Sequence, residues 1–68
     1  NPEASLKYAQ MGCDKKSAYS CFAMGNLYTK PEGPGINIEL AKSAYRKACD
    51  LEDTQACTAL EALETNAE

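Results

Sequence analysis

At 68 residues, with seven basic and ten acidic side chains, four cysteines and no histidine, the chain is one small domain that buries only about 60% of its unfolded surface. Such a core supplies about 3–5 kcal/mol at best, so covalent staples are expected. The formal net charge of −3 argues against general nucleic-acid binding. No apolar run approaches the ~20 residues of a membrane span. The lack of His and of any Cys-x-x-Cys pair argues against a zinc site, and no cofactor is implied.

The chain opens on Asn1 rather than Met, as expected of a processed form or an excised piece, so a missing leader decides nothing. Asn1-Pro2-Glu3 predicts a helix start: a capping side chain, a proline at the first helical position and an acid near the positive end of the dipole. This first helix is expected to end near Met11, loosened by Gly12 and Asp14. Ser17 is the candidate cap of a second helix running to about Thr29, with Ala18, Cys21, Phe22, Gly25 and Tyr28 on its buried face. Gly25 costs about 1 kcal/mol in mid-helix, and close approach of a neighbouring helix would explain it.

Lys30-Pro31-Glu32-Gly33-Pro34-Gly35 breaks any helix. It has no preceding strand and no Gly-Lys-Ser/Thr ending, so it reads as a turn rather than a phosphate cradle. Asn37 caps a third helix, with Glu39 in its first turn. Ala41, Ala44, Tyr45, Ala48 and Cys49 then fall at i, i+3, i+4, i+7 and i+8, a buried stripe whose alanines predict tight packing. Asp53 caps a fourth helix holding Ala56, Cys57, Leu60 and Leu63, and Glu64 to Glu68 are expected to fray. The charge is segregated: every base precedes Cys49, whereas Asp50, Glu52, Asp53, Glu61, Glu64 and Glu68 follow it with no base among them. That end is a solvated face or a docking face for a basic partner.

An internal repeat joins the two halves. Cys13 and Cys49 are 36 positions apart, as are Cys21 and Cys57. The same shift superimposes Asn1 on Asn37, Glu3 on Glu39, Asp14 on Asp50, Ala23 on Ala59 and Leu27 on Leu63. A period in this range indicates a helical solenoid. Residues eight apart on one continuous helix are separated by about 12 Å, beyond the ~7 Å between Cα atoms that a disulfide tolerates. A turn within each cysteine pair closes that gap, so the expected bridges are Cys13–Cys21 and Cys49–Cys57, each joining two antiparallel helices. Pairing Cys13 with Cys57 and Cys21 with Cys49 would instead mark a coiled-coil-helix hairpin. That alternative needs an unbroken helix across Gly12, Asp14 and Ser17 and leaves the repeat unexplained. Disulfides imply an oxidising compartment, periplasmic or secreted.

The run Ala18-x-x-Cys21-x-x-Met24-Gly25-x-Leu27-Tyr28, a Gly-rich turn, and Ala41-Lys42-x-Ala44-Tyr45-x-Lys47-Ala48-Cys49-Asp50-Leu51 resembles the Sel1-like repeat, and more narrowly its cysteine-rich branch. The resemblance covers one full repeat, about 17–52, with a half-repeat on each side, over residues 1–68 as a single domain. It implies an all-α, right-handed α/α solenoid of about four antiparallel, tetratricopeptide-like helices, secreted and used to bind a protein or peptide. Two features depart from the pattern. The turn comes about two residues late, with Pro31 inserted, and Glu61 and Glu64 stand where the second helix has Gly25 and Tyr28. The fourth helix therefore reads as a polar terminal cap.

No catalytic constellation is evident. Without His there is no general base poised near neutral pH. Ser43 and Lys47 share a helix face at i, i+4, but such exposed pairs are common. Some cysteine-rich relatives are linked to β-lactams, yet no Ser-x-x-Lys motif supports that chemistry here. A redox dithiol would want Cys-x-x-Cys and a lowered pKa. Tyr8, Tyr28 and Tyr45 are read as core, with Tyr19 off the core stripe. The expected function is a non-enzymatic interaction module. The alternatives are a small secreted enzyme or β-lactam-binding protein, and an inhibitor or immunity-type protein. If the first helix of each pair lines the concave face, as the resemblance implies, the binding strip is Tyr19, Ala23 and Asn26 on the second helix and Gln55, Ala59 and Ala62 on the fourth. Tyr19 is its best anchor, with large area and a polar tip at low entropy cost.

Overall fold

A computed structural model of the chain describes residues 2–31 and 35–66. Four helices follow in order: α1 (Pro2–Asp14), α2 (Ala18–Thr29), α3 (Ile38–Asp50) and α4 (Thr54–Asn66), with no strand among the described residues. The fold is all-α. Packing follows the chain, α2 against α1 and α3, and α4 against α3. The result is a slab of 30 × 26 × 14 Å. Its thickness matches two helix layers, since axes about 8–10 Å apart carry Cα cylinders of about 2.3 Å radius. The cap expected of Asn1, the turn residues 32–34 and the last two residues lie outside the described residues.

The two corners are built alike, 36 residues apart. At the end of α1, Ser17 N–H donates to the Gly12 carbonyl (3.0 Å) and Lys16 N–H to the Cys13 carbonyl (2.8 Å). At the end of α3, Asp53 N–H donates to Ala48 (3.0 Å) and Glu52 N–H to Cys49 (2.9 Å). This 6→1 and 5→2 pattern is the Schellman motif, which requires a left-handed residue just past the helix. Lys16 (φ 67°) and Glu52 (φ 75°) take that conformation without being glycine. The next residue then caps the following helix. The Ser17 hydroxyl accepts from Ser20 N–H (3.3 Å), and Asp53 Oδ1 accepts from Gln55 (3.0 Å) and Ala56 (3.3 Å) N–H. One residue thus ends one helix and starts the next, which reverses the chain tightly enough to bring the cysteines together. Cys13 is bonded to Cys21 and Cys49 to Cys57, with Cα atoms 4.6 and 4.8 Å apart, each bridge spanning a corner as the spacing predicts.

The long connection after α2 is closed by Asn37, whose N–H donates to the Tyr28 carbonyl (2.9 Å). Its Oδ1 caps α3 by accepting from Leu40 N–H (3.1 Å).

The core is small-residue rich: Ala9, Cys13, Cys21, Met24, Ala41, Ala44, Tyr45, Ala48 and Ala56 are buried. Such side chains bring helices close, and Gly25 brings them closest. A Cβ there would stand 2.5 Å from Tyr45 Cε1, so the glycine admits the ring, as expected of a close helix approach. Tyr45 stacks obliquely on Phe22, centroids 5.7 Å apart, and its hydroxyl donates to Asn26 Oδ1 at 2.5 Å.

Four expectations are corrected. α1 does not stop near Met11 but runs to Asp14. Gly12 does not loosen it: a Cβ there would sit 2.6 Å from Ser20 Cβ, so this glycine too is a contact point between helices. Tyr8 is not core but 72% exposed, because α1 turns Leu6, Ala9 and Cys13 toward the interior and Tyr8 lies away from them. On α2 the buried residues are Cys21, Met24 and Gly25, with Ala18, Phe22 and Tyr28 half-buried. α4 continues through Glu64 to Asn66, held in part by the Arg46–Glu64 ion pair at 3.4 Å.

Candidate functional site

Three helices build a trough on one side of the slab. α1 contributes Gln10 and Asp14, α2 contributes Met24 and Tyr28, and α3 contributes Leu40, Ser43, Ala44 and Lys47. Its volume is about 380 Å³, within the range of about 300–1,000 Å³ for ligand sites. The residues arise from simple periodicities. Gln10 and Asp14 are i, i+4 on α1, Met24 and Tyr28 are i, i+4 on α2, and the α3 set follows i, i+3, i+4, i+7. A second hollow of about 280 Å³ lies over the Cys13–Cys21 bridge, bordered by Lys16, Asp50 and Leu51 and sharing Lys47 with the first.

The lining is mixed. Met24, Tyr28, Leu40, Ala44, Leu51 and the disulfide are apolar, whereas Asp14, Lys16, Lys47 and Asp50 place both signs of charge along the rim. Leu40 is 46% exposed. An extended polypeptide segment with an apolar side chain or two and flanking charges suits such a surface. Ser43 and Lys47 both face the trough, but both are exposed.

The chain matches no protein-family profile, no curated protein and no solved structure.

The six residues of the sequence-derived strip are distributed as follows. Tyr19 is 76% exposed, and Gln55 and Ala62 are exposed. Ala23 and Ala59 are half-buried against the core. Asn26 is half-buried, and its side-chain oxygen accepts the Tyr45 hydroxyl, while its backbone carbonyl accepts from the Thr29 hydroxyl at 2.8 Å. The Asn26 side-chain oxygen of this strip is thus engaged within the fold. Burial raises the Tyr45 phenol above its ordinary value of 10.0, with a smaller opposing contribution from the Thr29 side chain. The trough itself was missed. Its signal is the spacing Leu40, Ser43, Lys47 on α3, a row that borders the alanine stripe at Ala44.

Proposed function

We propose that the protein is a non-enzymatic binding module that holds a protein or peptide segment in the trough between α1 and α3, and that it works in the periplasm or outside the cell. The trough carries this reading, because its mixed lining, apolar at Met24, Tyr28, Leu40 and Ala44 and charged with both signs at Asp14 and Lys47, matches a polypeptide. The walls are pre-positioned: α1 is bonded to α2 through Cys13–Cys21, and α2 is locked to α3 by the Gly25–Tyr45 contact. A rigid site avoids the ordering cost of binding. The two disulfides support an oxidising compartment, and no described helix is long and apolar enough to cross a membrane. The 36-residue echo of corners, caps and bridges supports the Sel1-like assignment.

The test is a displayed-peptide selection against the oxidised protein, with the enriched peptides mapped by NMR chemical shifts. The expected footprint covers Tyr28, Leu40, Ser43 and Lys47, and Ser43→Trp, which fills the trough from an exposed position, abolishes it. Failure to enrich any peptide over a reduced control would refute the reading. The exposure of Tyr19 favours a second surface, the strip on α2 and α4. A footprint there, with affinity lost in Tyr19→Ala by more than about 1 kcal/mol, would move the site.

A further inference from the structure

The repeat predicts what should lie on the outer side of α1. Shifting by 36 places α1 on α3 and α4 on α2. The face of α3 holding Ser43, Ala44 and Lys47 looks toward Met24 and Tyr28 of α2. Its counterpart on α1 is Lys7, Tyr8 and Met11, where Tyr8 is 72% and Met11 48% exposed. The counterpart of Met24 and Tyr28 is Leu60 and Glu64 on α4. α1 and α4 thus each carry a counterpart of one half of the interface that α2 and α3 form.

The halves fit in size and in charge. Gly25 is required on α2 because the Tyr45 ring stands against it. The counterpart of Tyr45 on α1 is Ala9, which is buried within the chain, so no ring would stand against the counterpart of Gly25, the exposed Glu61. Glu64 would meet Lys7, because their counterparts Tyr28 and Ser43 line one trough. Glu64 already pairs with Arg46, but that pair is exposed, at 62% and 49% for the two side chains, and leaves the carboxylate open to a second cation.

We propose that a second copy of the chain covers α1: α4 of one copy docks on α1 of the next, in the register by which α2 docks on α3. Such a head-to-tail contact does not close on itself, so copies add in a row. Few apolar side chains and several charges take part, so the association is weak and salt-sensitive.

Sedimentation velocity over a concentration series tests it, at low ionic strength and at about 1 M salt, where the Debye length falls to about 3 Å. The wild type should form concentration-dependent oligomers that dissociate in high salt. Lys7→Glu and Glu64→Lys should each weaken association by about fivefold, and the double variant should recover it. Both positions are exposed, and circular dichroism checks that each variant folds. A photo-crosslinking amino acid at position 8 should join α1 of one copy to α4 of another. A wild type that stays monomeric, a double variant that does not recover, or a crosslink from α1 to α1 would each overturn the proposal, the last in favour of a symmetric dimer.

Discussion

Gly25→Ala tests the contact on which the packing of α2 against α3 depends. The added methyl would sit 2.5–3.0 Å from three carbons of the Tyr45 ring, so the ring must move. Tyr45 is only 4% exposed and is held by Asn26 and Phe22. Overpacking costs about 1–3 kcal/mol, and losing the hydrogen bond to Asn26 adds about 1 kcal/mol. Replacing a mid-helix glycine by alanine returns about 1 kcal/mol of helix propensity. The net expectation is a loss of about 1–3 kcal/mol, and each kcal/mol lowers the melting temperature by about 4–8 °C in a domain of this size. Urea unfolding followed by circular dichroism, with the disulfides intact, measures it. In a Tyr45→Leu background the methyl has room, and the same substitution should become neutral or stabilising by up to about 1 kcal/mol. Leucine in place of Gly25 should cost at least as much as alanine, whereas Glu61→Leu on exposed α4 should be nearly neutral. A Gly25→Ala variant as stable as the wild type, or one equally destabilised in both backgrounds, would refute the reasoning.

Lys16→Gly and Glu52→Gly relieve left-handed backbone at residues that pay for it, and each should stabilise by about 1 kcal/mol, read as a higher urea midpoint with unchanged slope. Each disulfide closes a short loop with a chain-entropy contribution of about 2.5 kcal/mol. Losing both removes as much as a core of this size supplies, so reduction should abolish the cooperative thermal transition. The Tyr45 phenol is raised by burial, so the native state holds that proton more tightly than the unfolded one. The associated stability is complete below pH 10 and falls as pH rises from there through the native pKa. The difference in unfolding free energy between wild type and Tyr45→Phe should therefore shrink or reverse in that window and be flat below it, and ultraviolet titration should show the Tyr45 phenol ionising above its ordinary value.

Elements whose cause is local were legible in the sequence. Ser17, Asn37 and Asp53 cap the helices because a short polar side chain before an apolar-periodic run has few other uses. The cysteine pairing followed from helix rise against disulfide reach, and the alanine stripe of α3 from its period. The end of α1 was not legible. Its Schellman corner uses Lys16 where the usual signal is glycine, and Gly12, the nearest glycine, acts against Ser20 instead. Tyr8 was misread because periodicity shows that a residue has a side but not whether anything covers it. The trough was invisible for a related reason. Its lining comes from three helices, and each residue taken singly has an ordinary explanation: Lys47 for the helix dipole, Ser43 for a solvated face, Leu40 for the first turn.

The staples and the trough are connected energetically. A chain of this length spends most of its burial energy on ordering itself, and the buried residues here are mainly alanine and cysteine, which bury little area each. Without the bridges, α1 and α4 would be held to the centre by half-buried side chains such as Leu6, Leu60 and Leu63, and terminal helices of about 13 residues fray readily in isolation. The Cys13–Cys21 bridge fixes α1 at the end where it supplies Asp14 and borders the second hollow. The same bridge therefore stabilises the fold and holds α1, one wall of the trough, to α2. If the trough is the binding surface, removing Cys13–Cys21 should weaken ligand binding more than removing Cys49–Cys57, although the two loops are the same length and cost the fold about the same. Titrating an enriched peptide against Cys13→Ala/Cys21→Ala and Cys49→Ala/Cys57→Ala, at a temperature where both remain folded, separates the roles. Equal loss of affinity in the two variants would mean that the bridge supports the fold alone.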